Sequence, residues 1–166
     1  AVTFTNKAAN EMKERIGRLV GWGARAMWVG TFHALCARIL RRDGEAVGIP
    51  DSFIIFDTDD QTTVVADAMQ ALSLDPARWK PGQLLNRISN AKNALIGPAA
   101  FADGARLPDE KLTAEVYLRY QQRLRENNAL DFDDLIMSTV ELLRASPETL
   151  RAYQARFRYV FVDEYQ

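Results

Sequence analysis

The chain contains one cysteine and one histidine among its 166 residues. A lone Cys36 cannot build a disulfide framework, and a lone His33 excludes a zinc cluster formed within the chain. The longest uncharged stretch in the first half, Ala26 to Ala37, is twelve residues long, too short to span a bilayer. No basic segment leads into an apolar run of the kind that marks a secretory leader. What is present is ordinary globular composition, 48% hydrophobic and 26% charged. That is enough for one domain or two small ones with a core that needs no cross-links. The expectation is a soluble protein of a reducing compartment, with no membrane partner.

A net charge of −1 hides an asymmetry. From Ala1 to Arg42 there are eight Lys/Arg and two acids, a surplus of six positive charges. The remaining 124 residues carry a surplus of seven negative ones. Such a division suggests a local polyanion contact on the basic segment, although solvated helix faces would produce the same count. The ends are unusual as well. The chain opens in Ala1-Val2-Thr3-Phe4-Thr5 and stops at Val162-Asp163-Glu164-Tyr165-Gln166, both beside β-branched runs. Because domain termini usually lie in polar loops, a fragment is expected.

Strand Ala1–Thr5 is followed by a helix with Ala8, Ala9, Met12, Ile16 and Leu19 on one face, capped by Thr5 or Asn6 and ending near Gly21-Trp22-Gly23. A strand at Met27-Trp28-Val29 then runs through Gly30-Thr31 into a helix bearing Phe32, Leu35, Cys36, Ile39 and Leu40. Strand, turn and helix, twice over, predict a parallel α/β layer. After Phe53–Phe56 the period becomes helical: one helix capped by Asp57 or Thr58, others opened by Pro81 and Pro147, one through Leu112–Leu124 and one through Leu135–Leu143. Gly97 to Pro108 reads as a loop, and Tyr159–Val162 as a buried strand. The predicted fold class is α/β: a partial parallel sheet at 1–44 and 151–166, interrupted at 45–150 by a mainly helical insertion.

Three short strings could carry chemistry. Val160-Phe161-Val162-Asp163-Glu164 is an apolar strand ending in two acids. Ligands of parallel sheets sit beyond the carboxyl ends of the strands. A carboxylate there can hold Mg²⁺ through water, and a second can orient an attacking water. Alone the string does not separate an ATPase from a solvated strand end. Thr3-Phe4-Thr5-Asn6-Lys7 also leaves a strand and opens a helix, where backbone N–H groups favour phosphate. Phe4 offers a face on which a base could stack, or it is strand core with Asn6 a cap. Gly30-Thr31-Phe32-His33 repeats the geometry, although an isolated histidine is more often a cap or a buried residue, and Cys36 falls on the apolar helix face. Two phosphate-capable turns on adjacent strands carry more weight than either singly. Asp131, Asp133 and Asp134 suit a helix N-terminus, as a cap or as a metal site. Tyr117, Tyr120, Trp22, Trp28 and Trp79 could stack bases, but their spacing suits a core.

Taken in order, these strings resemble the UvrD/PcrA/Rep-type superfamily 1A DNA helicases. Ala1 to Met12 is similar to motif Ia, Gly30-Thr31-Phe32-His33 with Arg38–Arg42 to motif Ib, Asp131–Leu135 to the segment preceding motif II, and Asp163-Glu164-Tyr165-Gln166 to motif II, the Walker B. The resemblance covers essentially the whole chain. It implies part of a RecA-like motor domain 1A carrying an insertion domain 1B, in an enzyme that uses ATP and Mg²⁺ to move 3′→5′ on single-stranded DNA and open duplexes at single-strand/double-strand junctions. By the same resemblance, Asp163 would assist Mg²⁺, Glu164 would activate the hydrolytic water and Gln166 would couple nucleotide state to DNA. Phe4 would line a base pocket, with Thr5, Asn6, Thr31 and His33 near the DNA backbone. A cytoplasmic, nucleoid-associated location is implied too.

No Gly-x-x-x-x-Gly-Lys-Ser/Thr string occurs in the chain, so the phosphate cradle and its lysine are missing. The chain alone is therefore expected not to hydrolyse ATP. Its uncovered sheet edge is expected to promote self-association. A non-enzymatic DNA-binding module and a piece of a recombination-type helicase–nuclease subunit are the alternatives.

Overall fold

The computed structural model describes residues 1–165, Arg25 by its backbone only. In chain order the elements are β1 (Val2–Thr3), α1 (Asn6–Val20), β2 (Gly30–Thr31), α2 (Phe32–Asp43), β3 (Ile54–Ile55), α3 (Thr58–Ala71), α4 (Pro81–Asn93), α5 (Pro98–Gly104), α6 (Pro108–Glu126), β4 (Ala129–Leu130), α7 (Phe132–Ala145) and α8 (Pro147–Arg156). The class is α/β: 69% helix with two short parallel strand pairs. The chain divides into two compact units, one made of Ala1–Asp51 and Ser138–Gln166, the other of Ser52–Met137.

The first unit is built on β1. It pairs in parallel with β2, Val2 opposite Gly30 and Thr3 opposite Thr31. On its other side Val2 forms a parallel bridge with Val162. The Val2 N–H donates to the Phe161 carbonyl at 2.8 Å, and the Asp163 N–H donates to the Val2 carbonyl at 2.9 Å. Each of the two strands running into a helix hands over at a threonine. Thr5 and Thr31 are extended N-caps whose hydroxyl oxygens accept from the Ala8 and Ala34 N–H groups at 3.1 and 3.2 Å. Gly21 closes α1 at φ 56°, a left-handed φ that glycine adopts without a Cβ penalty.

Two strand expectations are corrected here. The second strand is Gly30–Thr31, not Met27–Val29. A 3-10 turn at Gly21–Ala26 runs up to Met27, whose N–H bonds back to Ala24, so the ladder with β1 starts only at Gly30. The run Tyr159–Val162 is not a buried strand: Tyr159, Val160 and Phe161 are 82, 65 and 70% exposed, and only Val162 bridges. With Met12, Ile16, Leu19, Trp28 and Phe157, Phe161 lines an open apolar groove of about 890 Å³.

The second unit is helical around one core: Val65 and Met69 of α3, Leu84 and Ile88 of α4, and Val116, Tyr117, Tyr120 and Leu124 of α6, closed by Trp79 and Ala129. Asp57 caps α3 through a reciprocal box with Asp60. The Gly97–Pro108 loop contains the helix α5, opened by Pro98 at its first position, where the missing N–H costs nothing. The short parallel pair β3–β4, Ile54 opposite Ala129 and Ile55 opposite Leu130, has no counterpart in the sequence analysis. Among the described residues the large, fully buried side chains concentrate in this unit; only Leu40 and Leu142 belong to the first.

Candidate nucleic-acid and nucleotide site

The strand register decides where the three strings meet. β1, β2 and the Val162 bridge are all parallel, so the residues that follow them leave the layer at one end, the carboxyl end. Phe4, Thr5 and Asn6 follow β1, Phe32 and His33 follow Thr31 of β2, and Asp163 and Glu164 follow Val162. Thr3 lies level with Thr31 through the ladder, and the Asp163 N–H is bonded to the residue preceding Thr3. All seven assigned residues that are described lie in the first unit. Gln166 lies outside the described residues.

Their environments differ. Phe4 is 79% exposed, a large ring in water one residue past a buried strand. It is not strand core. Thr5, Asn6 and Lys7 are exposed beside it, at the positive end of the α1 dipole. Thr31 is buried at 8%, its hydroxyl oxygen engaged as the α2 cap. His33 is half-buried in the first turn of α2. Asp163 and Glu164 are exposed, and Glu164 adopts φ 58°, an uncommon backbone for a residue with a Cβ. The two carboxylates are hard oxygen donors of the type that holds Mg²⁺ through its water shell. They do not form an all-protein cage, and no group of three or more metal-ligating side chains occurs among the described residues.

The other candidates, Trp22 apart, fall into structural roles. Tyr117 and Tyr120 are fully buried, and Trp28 and Trp79 are 7 and 8% exposed; Trp22 is 80% exposed. Cys36 is half-buried, and burial pushes its thiol up despite a hydrogen bond with Thr139. Asp131 and Asp134 cap α7 reciprocally: the Asp134 N–H donates to Asp131 Oδ1 at 2.7 Å, and the Asp131 N–H to Asp134 Oδ2 at 3.3 Å. The position a cation would take is filled by Lys92 Nζ, 2.6 Å from Asp131 Oδ2 and 2.7 Å from Asp134 Oδ1. Tyr120 donates to Asp131 and Gln121 to Asp134. Sequence reasoning missed Lys92, which is 1% exposed. The signal was there: Leu84, Ile88 and Lys92 recur every four residues, placing the lysine on the apolar stripe of α4.

A parallel α/β layer with an exposed ring, two capped helix starts and a carboxylate pair at its carboxyl end has the site layout of an α/β ligand-binding protein. Comparison with known families specifies which. The UvrD/REP helicase N-terminal domain matches residues 1–166, and the chain belongs to that family. It is 47% identical over all its 166 residues to proteins named ATP-dependent DNA helicase PcrA from Bacillus subtilis and Staphylococcus epidermidis, covering 22 and 23% of their lengths. The same name and identity recur in Staphylococcus aureus, again over 23% of the relative. The chain thus spans less than a quarter of the curated relatives it matches.

Proposed function

We propose that this chain is the DNA-facing and magnesium-facing part of the motor of an ATP-dependent DNA helicase that moves 3′→5′ on single-stranded DNA and opens duplexes at junctions. The observation that carries it is the common parallel layer, which sends Phe4, His33 and Asp163 out of one end of one sheet. On this reading residues 1–44 and 151–166 are part of motor domain 1A and residues 45–150 the insertion domain 1B. Phe4 stacks on a base, and Thr5, Asn6, Thr31 and His33 line the strand's backbone. Asp163 holds Mg²⁺ through water, Glu164 orients the hydrolytic water and Gln166 links nucleotide state to DNA. When bound, Mg²⁺ neutralises charge on the transferred phosphate. The place of work is the cytoplasm, at the nucleoid.

Without a phosphate loop the chain alone does not hydrolyse ATP, and its exposed sheet edge favours self-association. Single-strand binding is weak and falls with salt, as phosphate contacts require. Phe4→Ala removes a stacking face and weakens binding to an oligo-dT strand by about 5- to 150-fold, the range of about 1–3 kcal/mol per stacked base. Fluorescence anisotropy measures this, and unchanged affinity removes Phe4 from the site. DNA-stimulated phosphate release by the pure chain, in a malachite-green assay, would overturn the inactivity.

A further inference from the structure

Arg38 belongs to the basic run that suggests a polyanion contact, yet its guanidinium lies over the Trp28 indole, 3.9 Å from the ring centroid. Trp28 is 7% exposed and sits two residues before β2; Arg38 is seven residues after Thr31, on α2. The pair therefore brackets the Gly30–His33 turn, one member on the entering chain and one on the departing helix. The same indole is also met by α8 and the residue that follows it. Arg156 Cζ lies 5.1 Å from the same indole, and Tyr153 and Phe157 meet it edge-on at 6.2 and 5.1 Å. Tyr153 in turn donates its hydroxyl to Asp43, at the far end of α2. Burial and that hydrogen bond push the Tyr153 phenol up to about 12, so it stays a donor at neutral pH. The middle of α2, at Arg38, and its last residue, Asp43, are thus both fastened to the aromatic cluster of Trp28, Tyr153 and Phe157.

We propose that Trp28 and Arg38 are positioning residues for the Gly30–His33 turn: the cation–π stack fixes the angle at which Thr31 and His33 are presented to a nucleic-acid strand, and Arg38 is not itself a phosphate ligand. The proposal rests on the DNA-binding reading above for its ligand, but the staple itself is a property of the turn. The ring is buried but Arg38 itself is exposed, so losing the contact is expected to weaken binding about two- to fivefold.

The test is a double-mutant cycle with Trp28→Leu, which keeps apolar bulk, and Arg38→Met, which keeps the stem. Binding to an oligo-dT strand is followed between about 50 and 200 mM salt. Alongside it, deuterium uptake of residues 29–34 is measured in the absence of DNA. The staple predicts that each variant weakens binding and that the double variant is no weaker than the worse single. It predicts an unchanged salt slope and faster uptake at 29–34 in both variants. Trp28→Phe, which keeps a ring under Arg38, restores most of the affinity and protection. A phosphate ligand at Arg38 would instead lower the slope by about 0.7, leave Trp28→Leu silent, and be rescued by Arg38→Lys; that pattern overturns the proposal. So does unchanged uptake at 29–34 in both variants. If the unsubstituted protein binds no DNA, the DNA reading fails, and the uptake comparison still decides the staple.

Discussion

Replacing Lys92 by methionine is the most severe single test of how the helical unit is held. The side chain is fully buried and bridges Asp131 and Asp134, themselves 1 and 4% exposed. Methionine matches its length and apolar stem, so little packing is lost. What is lost is the one cation that, among the described residues, bridges two buried carboxylates that already hydrogen-bond each other's backbone. Breaking a buried pair by removing one partner costs about 3–5 kcal/mol. For a unit of this size each kcal/mol moves the midpoint by about 4–8 °C, so the drop is at least roughly 12 °C at neutral pH. The pH dependence identifies the cause. Burial already raises the Asp134 carboxyl, partly countered by Lys92. A carboxyl raised on folding contributes stability that is fully present below its unfolded value and is lost as pH rises through the folded one. In Lys92→Met two unpaired carboxylates share one site and at least one rises much further. The deficit against the unsubstituted chain must therefore shrink as the solution is acidified towards the ordinary carboxylate range. Asp134→Asn is expected to be milder. It removes the surplus negative charge and leaves Lys92 paired with Asp131, but its amide keeps one acceptor oxygen where the carboxylate offers two, so either the Lys92 or the Asp131 N–H bond is lost. It is expected to cost about 1–3 kcal/mol, the size of one unsatisfied buried group. Circular dichroism melts from pH 7.5 downwards, with deuterium uptake of α4 and α6 to localise the loss, read both variants. A Lys92→Met deficit of only a few degrees, or one that persists in acid, would refute the charge-pair account.

Three further outcomes follow from the same structure. Thr31→Ala deletes the α2 cap and costs about 1 kcal/mol, measurable as a lower denaturant midpoint; Thr31→Ser retains the hydroxyl and most of the stability. Deuterium uptake across the chain should be slower in α3, α4 and α6 than in α1, because the large buried side chains lie mainly in the second unit; uniform protection in a monomer would contradict that. Phe4→Ala should leave the melting temperature unchanged, since the ring is 79% exposed, so any loss of DNA affinity belongs to the site and not to the fold.

Much of this was legible because caps and breakers are local chemistry. Thr5, Thr31, Asp57, Pro81 and Pro147 mark helix starts, and Gly21 marks an end, through hydrogen bonds and φ values that depend on a residue and its near neighbours. The two-residue strands were not, because two residues carry no period; β4 in particular is defined by its ladder with β3, where Ile54 pairs with Ala129, 75 residues on in sequence. Tyr159–Phe161 reads as core from its composition, but burial depends on what covers a strand, and that is long-range. Lys92 was passed over because lysine is rarely buried; its place in a stripe with Leu84 and Ile88 outweighs residue type. Arg38 shows the reverse error: a surface cation in a basic run whose guanidinium is held on a ring.

The central claim is that one end of one parallel layer handles a nucleic-acid strand. An amide chemical-shift titration of the ¹⁵N-labelled protein with an oligo-dT strand tests it most directly. The account predicts shifts at Thr5–Lys7 and at Phe32–His33, diminishing with salt, with α3 unaffected. Shifts confined to α3 and α6, or none at all, would contradict it.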